Sequence, residues 1–193
     1  MILPLEQLVE IKPGIYRTTS PGGTVHNLMP SDFDSRSQFI GWNKPMISNS
    51  DIDEKHLLRA NDILLATKSV TLTAIAFDPA WGKSIASSSL AVLRPRFGPG
   101  IPKIDIHYLT WYLNSEQARK KLKGMTVGTA VLSIPATSLR ALEIEVPSIK
   151  VQHEILIIHE LFKKKVALSE ELIALEKQLM QRQLESIIQN SSN

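Results

Sequence analysis

The chain has 193 residues, 43% hydrophobic and 21% charged, the balance of a folded domain with one core and room for an additional element. It has no cysteine, which excludes structural disulfides and thiolate-held metal. The net charge of +3 is unevenly spread: residues 1–62 carry six Lys/Arg against eight Asp/Glu, 63–142 carry ten against three, and 143–193 carry six against eight. A basic middle between acidic ends suits a phosphate-bearing partner, and it equally suits a solvated surface with chance clustering.

The first residues lack a basic segment followed by an apolar one, so no secretory signal is expected. No window approaches about 18 uninterrupted apolar residues, so no membrane span is expected. A cysteine-free chain with these properties fits a reducing cytoplasm. All eleven prolines and all nine glycines lie before residue 148. In this region the short apolar runs 28–29, 63–66, 72–77, 90–93 and 142–146 read as strands. The last, Leu142-Glu143-Ile144-Glu145-Val146, alternates apolar and acidic residues, the period of a half-buried strand. Pro13-Gly14, Pro21-Gly22-Gly23, Asn61-Asp62 and Phe97-Gly98-Pro99-Gly100 punctuate it as turns.

One helix is predicted from Asp105 to about Lys123, stopped by Gly124. Asp105 can accept from the free amides of the first turn, and Ile106, Leu109, Leu113 and Ala118 begin an apolar face. Its last turns carry Arg119, Lys120, Lys121 and Lys123. Cations there suit the negative end of a helix, and the same cluster suits phosphate.

Residues 150–189 contain neither Gly nor Pro. Ile158, Leu161, Lys165, Leu168, Leu172, Leu175 and Leu179 recur at alternating steps of three and four, interrupted only by Lys165. Val166, Ile173, Met180 and Ile187 form a flanking stripe with a period of seven. A helix of about 39 residues is ~58 Å long and cannot bury so wide a face against its own short body. Pairing with another helix is expected; the alternative is a shorter helix folded back. The predicted fold class is α+β: a β-rich domain with short helices at 1–149, one long coiled-coil-type helix at 150–189, and a disordered tail at 190–193.

Catalytic patterns are missing. His26, His56, His107, His153 and His159 form no His-Glu-x-x-His motif. Asp51, Asp53 and Glu54 have Lys55 and Arg59 as simple salt partners. No glycine-rich phosphate loop and no Asn-Pro-Pro-Tyr element occur, and Ser87-Ser88-Ser89 has no base marked nearby. No catalytic residue and no metal ligand is assigned, and a binding protein is expected rather than an enzyme.

The order of elements from Ile104 to Ile155 carries a resemblance. Asp105-Ile106-His107-Tyr108-Leu109 opens a helix, and Tyr112-Leu113-Asn114-Ser115 follows. Then come Gly128-Thr129, Leu132-Ser133-Ile134-Pro135, and Ile144-Glu145-Val146-Pro147-Ser148-Ile149-Lys150-Val151-Gln152 leading into the long helix. This resembles the end of a target-recognition domain in the specificity subunits of type I restriction-modification systems. Upstream, 5–14 resembles the family's opening strand and Gly turn, Asn61-Asp62-Ile63-Leu64 its Gly-Asp-Ile-Leu element, and 90–95 its strand ending in Arg-Pro. Ser148 stands where a second Pro is usual, Val151 where Glu is usual, and Asn61 where Gly is usual. Family subunits usually hold two recognition domains and two long helices, so the chain resembles a half-subunit.

The resemblance implies a non-catalytic subunit that recognises one half of a bipartite site in double-stranded DNA. Loops at 14–23, 67–73, 81–88 and 125–133 would approach the duplex. Their candidate contacts, together with Lys123 at the helix end, are Arg17, Thr18, Thr19, Lys68, Thr71, Lys83, Ser84, Thr126 and Thr129, side chains suited to phosphates and base edges. For each of them an ordinary polar loop residue is the competing reading. Ile158, Leu161, Leu168, Leu172, Leu175 and Leu179 would pair with a second copy as a homodimer. A modification (methyltransferase) subunit carrying S-adenosylmethionine would join, with a restriction subunit as a further partner, and this chain would hold no cofactor. The competing function is a dimeric coiled-coil scaffold whose β-rich domain binds protein or peptide.

Overall fold

The computed structural model describes residues 1–18, 22–34, 38–41, 47–48, 52–69, 71–128 and 132–191, with side chains described as far as 188. Two compact units divide the chain, Met1–Gln152 and His153–Asn193. In the first, β1 (Ile2–Pro4), the helical turn α1 (Leu5–Leu8) and β2 (Val9–Pro13) open the fold. Next come β3 (His26–Leu28), β4 (Ile63–Ala66), β5 (Ala74–Ala76), β6 (Ser84–Ala86) and β7 (Leu90–Pro95), with 3-10 turns at Pro30–Asp32, Glu54–His56 and Pro79–Trp81. Helices α2 (Ile106–Asn114), α3 (Glu116–Gly124) and α4 (Ala136–Arg140), strand β8 (Glu143–Glu145) and helix α5 (Ile149–Ser191) complete it.

A four-stranded antiparallel sheet of order β2-β7-β4-β5 forms the centre. Successive side chains on a strand alternate between faces. Leu64, Ala66, Ile75, Leu90 and Val92 enter one core cluster with Leu28, Phe33, Phe77 and Ala86. Ile63, Leu65 and Leu93 take the opposite face and are also fully buried. Both faces are therefore covered, which is why 63–66 reads as an unbroken apolar run. Two smaller pairs flank the sheet: parallel β3–β6 and antiparallel β1–β8. In the latter, Leu3 faces Ile144, and the Val146 amide donates to the Met1 carbonyl at 2.8 Å. The first and last strands thus close the unit on each other.

The predicted strands at 63–66 and 90–93 appear with the same starts, and those at 72–77 and 142–146 shorten to β5 and β8. Of the run at 28–29 only Leu28 lies in a strand, at the end of β3, while β1 and β6 have three residues each, too few to show a period. In the opening segment, 5–8 is a helical turn and the strand begins at Val9. The single helix expected from Asp105 to Lys123 is two helices. Ser115 is extended (φ −64°, ψ 153°), and its hydroxyl accepts from the Ala118 amide at 3.2 Å, capping a new helix. Asp105 caps α2 as expected, accepting from the His107 and Tyr108 amides at 2.7 and 3.3 Å. The long helix has 43 residues, a length of ~64 Å.

Side chains lock the elements together. Asp62 is fully buried, and Arg94 binds it through two donors, Nε to Oδ1 at 2.7 Å and Nη2 to Oδ2 at 2.6 Å. The same Oδ2 accepts from the Arg59 amide at 2.9 Å, and Nη2 also donates to the Leu57 carbonyl at 3.2 Å. The carboxylate holds the guanidinium pKa above its usual value. Asn61, just before, has φ 73°, the left-handed conformation that Asn tolerates and Gly adopts freely. Asn114 pairs its amide with the edge strand, donating to the Ala74 carbonyl at 2.7 Å and accepting from its amide at 3.0 Å. Gln152, fully buried, accepts from the Asp105 amide and donates to the carbonyls of Lys103 and Pro147. It joins the first turn of α5 to the cap of α2. Tyr108 donates to the Glu145 carbonyl at 2.8 Å, and burial pushes its pKa up to about 12.

Asp62→Ala leaves the Arg94 guanidinium without its carboxylate and is expected to lower unfolding stability by about 3–5 kcal/mol. Urea unfolding checks this, and a loss below about 1 kcal/mol contradicts it. Gly14→Ala is expected to destabilise by about 1–3 kcal/mol. A Cβ there would stand 2.7 Å from the Ala86 carbonyl oxygen, 2.8 Å from that of Leu90, and closer still to that of Ser87. An unchanged unfolding midpoint would contradict the tight approach.

Candidate nucleic-acid interface

The register of the central sheet decides which loops leave from the same end. Pro13 at the end of β2 pairs with Ala91, and Ala66 at the end of β4 pairs with Leu90, the first residue of β7. Ala74 at the start of β5 pairs with Leu65. The segments 14–18, 67–73 and 87–89 therefore emerge together. Backbone hydrogen bonds knot their bases. The Gly14 amide donates to the Leu90 carbonyl and the Ile15 amide to the Ala86 carbonyl, both at 2.9 Å. The Ser89 carbonyl accepts from the amides of Thr67 and Lys68 at 3.0 and 3.2 Å and from the Thr67 hydroxyl at 3.4 Å. A fourth segment joins through Ile134, whose amide donates to the Thr67 carbonyl at 3.0 Å. Val127 and Ser133 bridge each other just before it.

Charge divides the two ends of the sheet. None of the segments 14–18, 67–73, 87–89 and 125–134 contains Asp or Glu, while they carry Arg17 and Lys68. Glu10, Asp62 and Asp78 all lie at the other end, where β2 and β4 begin and β5 finishes. An acid-free end with cations, hydroxyls and backbone amides is an arrangement that phosphate oxygens and base edges can engage.

Among the expected contact residues, the sheet end brings together Arg17, Thr18, Lys68 and Thr71, all exposed. The Thr71 amide donates to the Ser69 hydroxyl at 3.3 Å, ordering the tip of its loop. Thr126 and Lys123 lie where α3 runs into the fourth segment. The Thr126 hydroxyl donates to the Lys123 carbonyl at 2.8 Å, while the Lys123 side chain is exposed. Thr19 and Thr129 lie outside the described residues. Ser84 is a correction: it is 1% exposed, and its hydroxyl donates to the Gly82 carbonyl at 2.9 Å. Ser84 is therefore a turn-fixing residue within the fold. Lys83 is exposed but precedes β6, about 13 Å along the strand from Ser87. The expected loop at 81–88 is accordingly divided. Trp81 is half-buried and stacks on Phe39 with ring centroids 4.8 Å apart, so its ring supports the core. Only the 87–89 turn reaches the acid-free end.

Sequence reasoning passed over Tyr16, Val127 and Leu132, which are exposed at the same end. Their signal was available: each is a large apolar residue in a stretch otherwise read as polar loop. Among the described residues no three His, Asp or Glu side chains gather as a metal-binding group. No helix among them is long and apolar enough to cross a membrane.

Known proteins of similar fold are type I restriction-modification components. The S subunit from M. genitalium aligns over 92% of this chain and 42% of its own, at TM-score 0.58 and 18% identity. The HsdS subunit from Thermoanaerobacter tengcongensis aligns over 86% of this chain and 38% of its own, at TM-score 0.62 and 18% identity. A third structure, from work on complex assembly and conformational transition of the type I R-M system, covers 86% of this chain and 39% of its own at TM-score 0.57 and 17% identity. At these identities the likeness is one of fold, and the chain spans about two fifths of the length of these relatives. No curated protein sequence matches the chain. A family model for the type I restriction modification DNA specificity domain matches residues 10–177, from β2 well into α5, and the chain therefore belongs to that family.

Proposed function

We propose that this chain is a DNA-recognition half-subunit: its acid-free sheet end reads one half of a bipartite site, and α5 pairs it with a second copy. The observation that carries the reading is the convergence of four carboxylate-free segments, with Arg17 and Lys68, at one end of a rigid sheet. Rigid strands hold the bases of these loops while their tips stay free to vary, the arrangement a recognition surface needs. Arg17, Lys68 and Lys123 would contact phosphates or guanine, and Thr18, Thr71 and Thr126 phosphates or base edges.

The helix supports the second part. Leu168 and Leu175 are 66% and 56% exposed, and Ile158, Leu161, Leu172 and Leu179 are similarly open. An apolar stripe of this length in water is an association surface. Pairing about a two-fold axis would place two recognition domains on an inverted repeat, with the helices as a ruler between half-sites. The same helices would carry a modification subunit that binds S-adenosylmethionine and methylates adenine, and a restriction subunit would act with that assembly. The chain itself would supply specificity without catalysis or cofactor, in the cytoplasm of a prokaryote.

Light scattering at micromolar concentration is expected to give a dimer, and Leu168→Asp with Leu175→Asp a monomer, because unpaired charge in an apolar seam is costly. A wild-type monomer would contradict the pairing. Duplex affinity is expected to fall steeply with salt, by about 0.9 log unit per log unit of salt for each phosphate neutralised. Lys68→Ala is expected to lower that slope by about one contact. Salt-insensitive or absent binding, with the modification subunit supplied, contradicts the recognition role.

A further inference from the structure

Three apolar side chains stand open where the acid-free loops emerge: Tyr16 at 75% exposure, Val127 at 54% and Leu132 at 47%. Single exposed apolar residues are ordinary on any surface. These three share roots in one knot of backbone bonds. Tyr16 follows Ile15, which is bridged to Ser87. Val127 is bridged to Ser133, which follows Leu132 and comes one residue before Ile134 binds the Thr67 carbonyl. The roots at Ile15 and Thr67 extend β2 and β4, which are separated by β7 alone. Two interstrand spacings put them about 10 Å apart, within the ~12 Å width of a DNA major groove.

The charge of this end suits a duplex; the Tyr16 hydroxyl can donate to a phosphate oxygen, but its ring and the Val127 and Leu132 side chains offer such an oxygen nothing. Burying Tyr16 and Leu132 against DNA is favourable only where they meet an apolar surface. Among the base edges of the major groove the apolar group is the 5-methyl group of thymine. Resting on the DNA-recognition reading above, we propose that Tyr16 and Leu132, with Val127 beside them, are specificity-determining residues that contact thymine methyl groups. At least one thymine of the half-site is then recognised by its methyl as well as by its hydrogen-bonding edge.

The test selects duplexes from a random pool with the full chain and a type I modification subunit. The enriched duplex is then resynthesised with deoxyuridine for thymidine, which removes the methyl and keeps the pairing edge. Wild type is expected to bind the uracil duplex about fourfold more weakly for each contacted methyl. Tyr16→Ser combined with Leu132→Ser is expected to bind both duplexes equally, and Tyr16→Phe to keep the difference. Both substituted positions are exposed, so the unfolding midpoint is expected to stay at the wild-type value. Equal binding of the two duplexes by wild type, or discrimination kept by the double variant, would each overturn the methyl contact. Failure to enrich any duplex would overturn the recognition reading itself, and the inference with it.

Discussion

The two ends of the central sheet are held by different kinds of bond, and the character of the loop surface depends on this. At the end where β4 begins, the buried Asp62 carboxylate grips Arg94 through two hydrogen bonds and takes a third from the Arg59 amide. At the other end, the neutral Ser89 carbonyl gathers Thr67 and Lys68, and Gly14 lies against the carbonyls of 86, 87 and 90. An ion pair fixes the strands without leaving a bare charge, whereas backbone bonds fix the loops without introducing a carboxylate. The loop segments 14–18, 67–73, 87–89 and 125–134 therefore carry no carboxylate, while Glu10, Asp62 and Asp78 lie at the far end.

Family membership and geometry meet at particular residues. Asp62 and Arg94 belong to the two short segments that resemble family elements, 61–64 and 90–95, and the structure joins them in one ion pair. Asn61 occupies the place where glycine is usual, and its positive φ explains both residues there. Gln152, the last residue of the resembling run, makes three hydrogen bonds from full burial. These positions tie segments distant in sequence, and the loops between them are left free to differ.

Much of the fold was legible because burial leaves a pattern. Residues 63–66 form an apolar run because both faces are covered, and 142–146 alternate because one face of β8 is open. The break at Ser115 was readable in principle from an Asn-Ser pair followed by Glu116. It was hidden because Leu113 and Ala118 carry the apolar face across the kink. The site was less legible. Which loops share an end follows from strand order and register, and no local pattern encodes that β2 pairs with β7 across about 80 residues of chain. For the same reason Ser84 read as a loop residue: its burial comes from the parallel pairing of β6 with β3, which is non-local.

Helix α5 imposes the remaining constraint. Its first turn is anchored through Gln152, and the exposed stripes from Ile158 onward need a partner to leave water. The chain aligns with about two fifths of the length of its structural relatives and carries one such helix. The most direct measurement is mapping of methylated adenine in a methylation-free host that carries this chain with a type I modification subunit. The account predicts methylation at one bipartite inverted-repeat motif that appears only when this chain is present. A methylation pattern that does not depend on the chain, or a motif without two related halves, would contradict it.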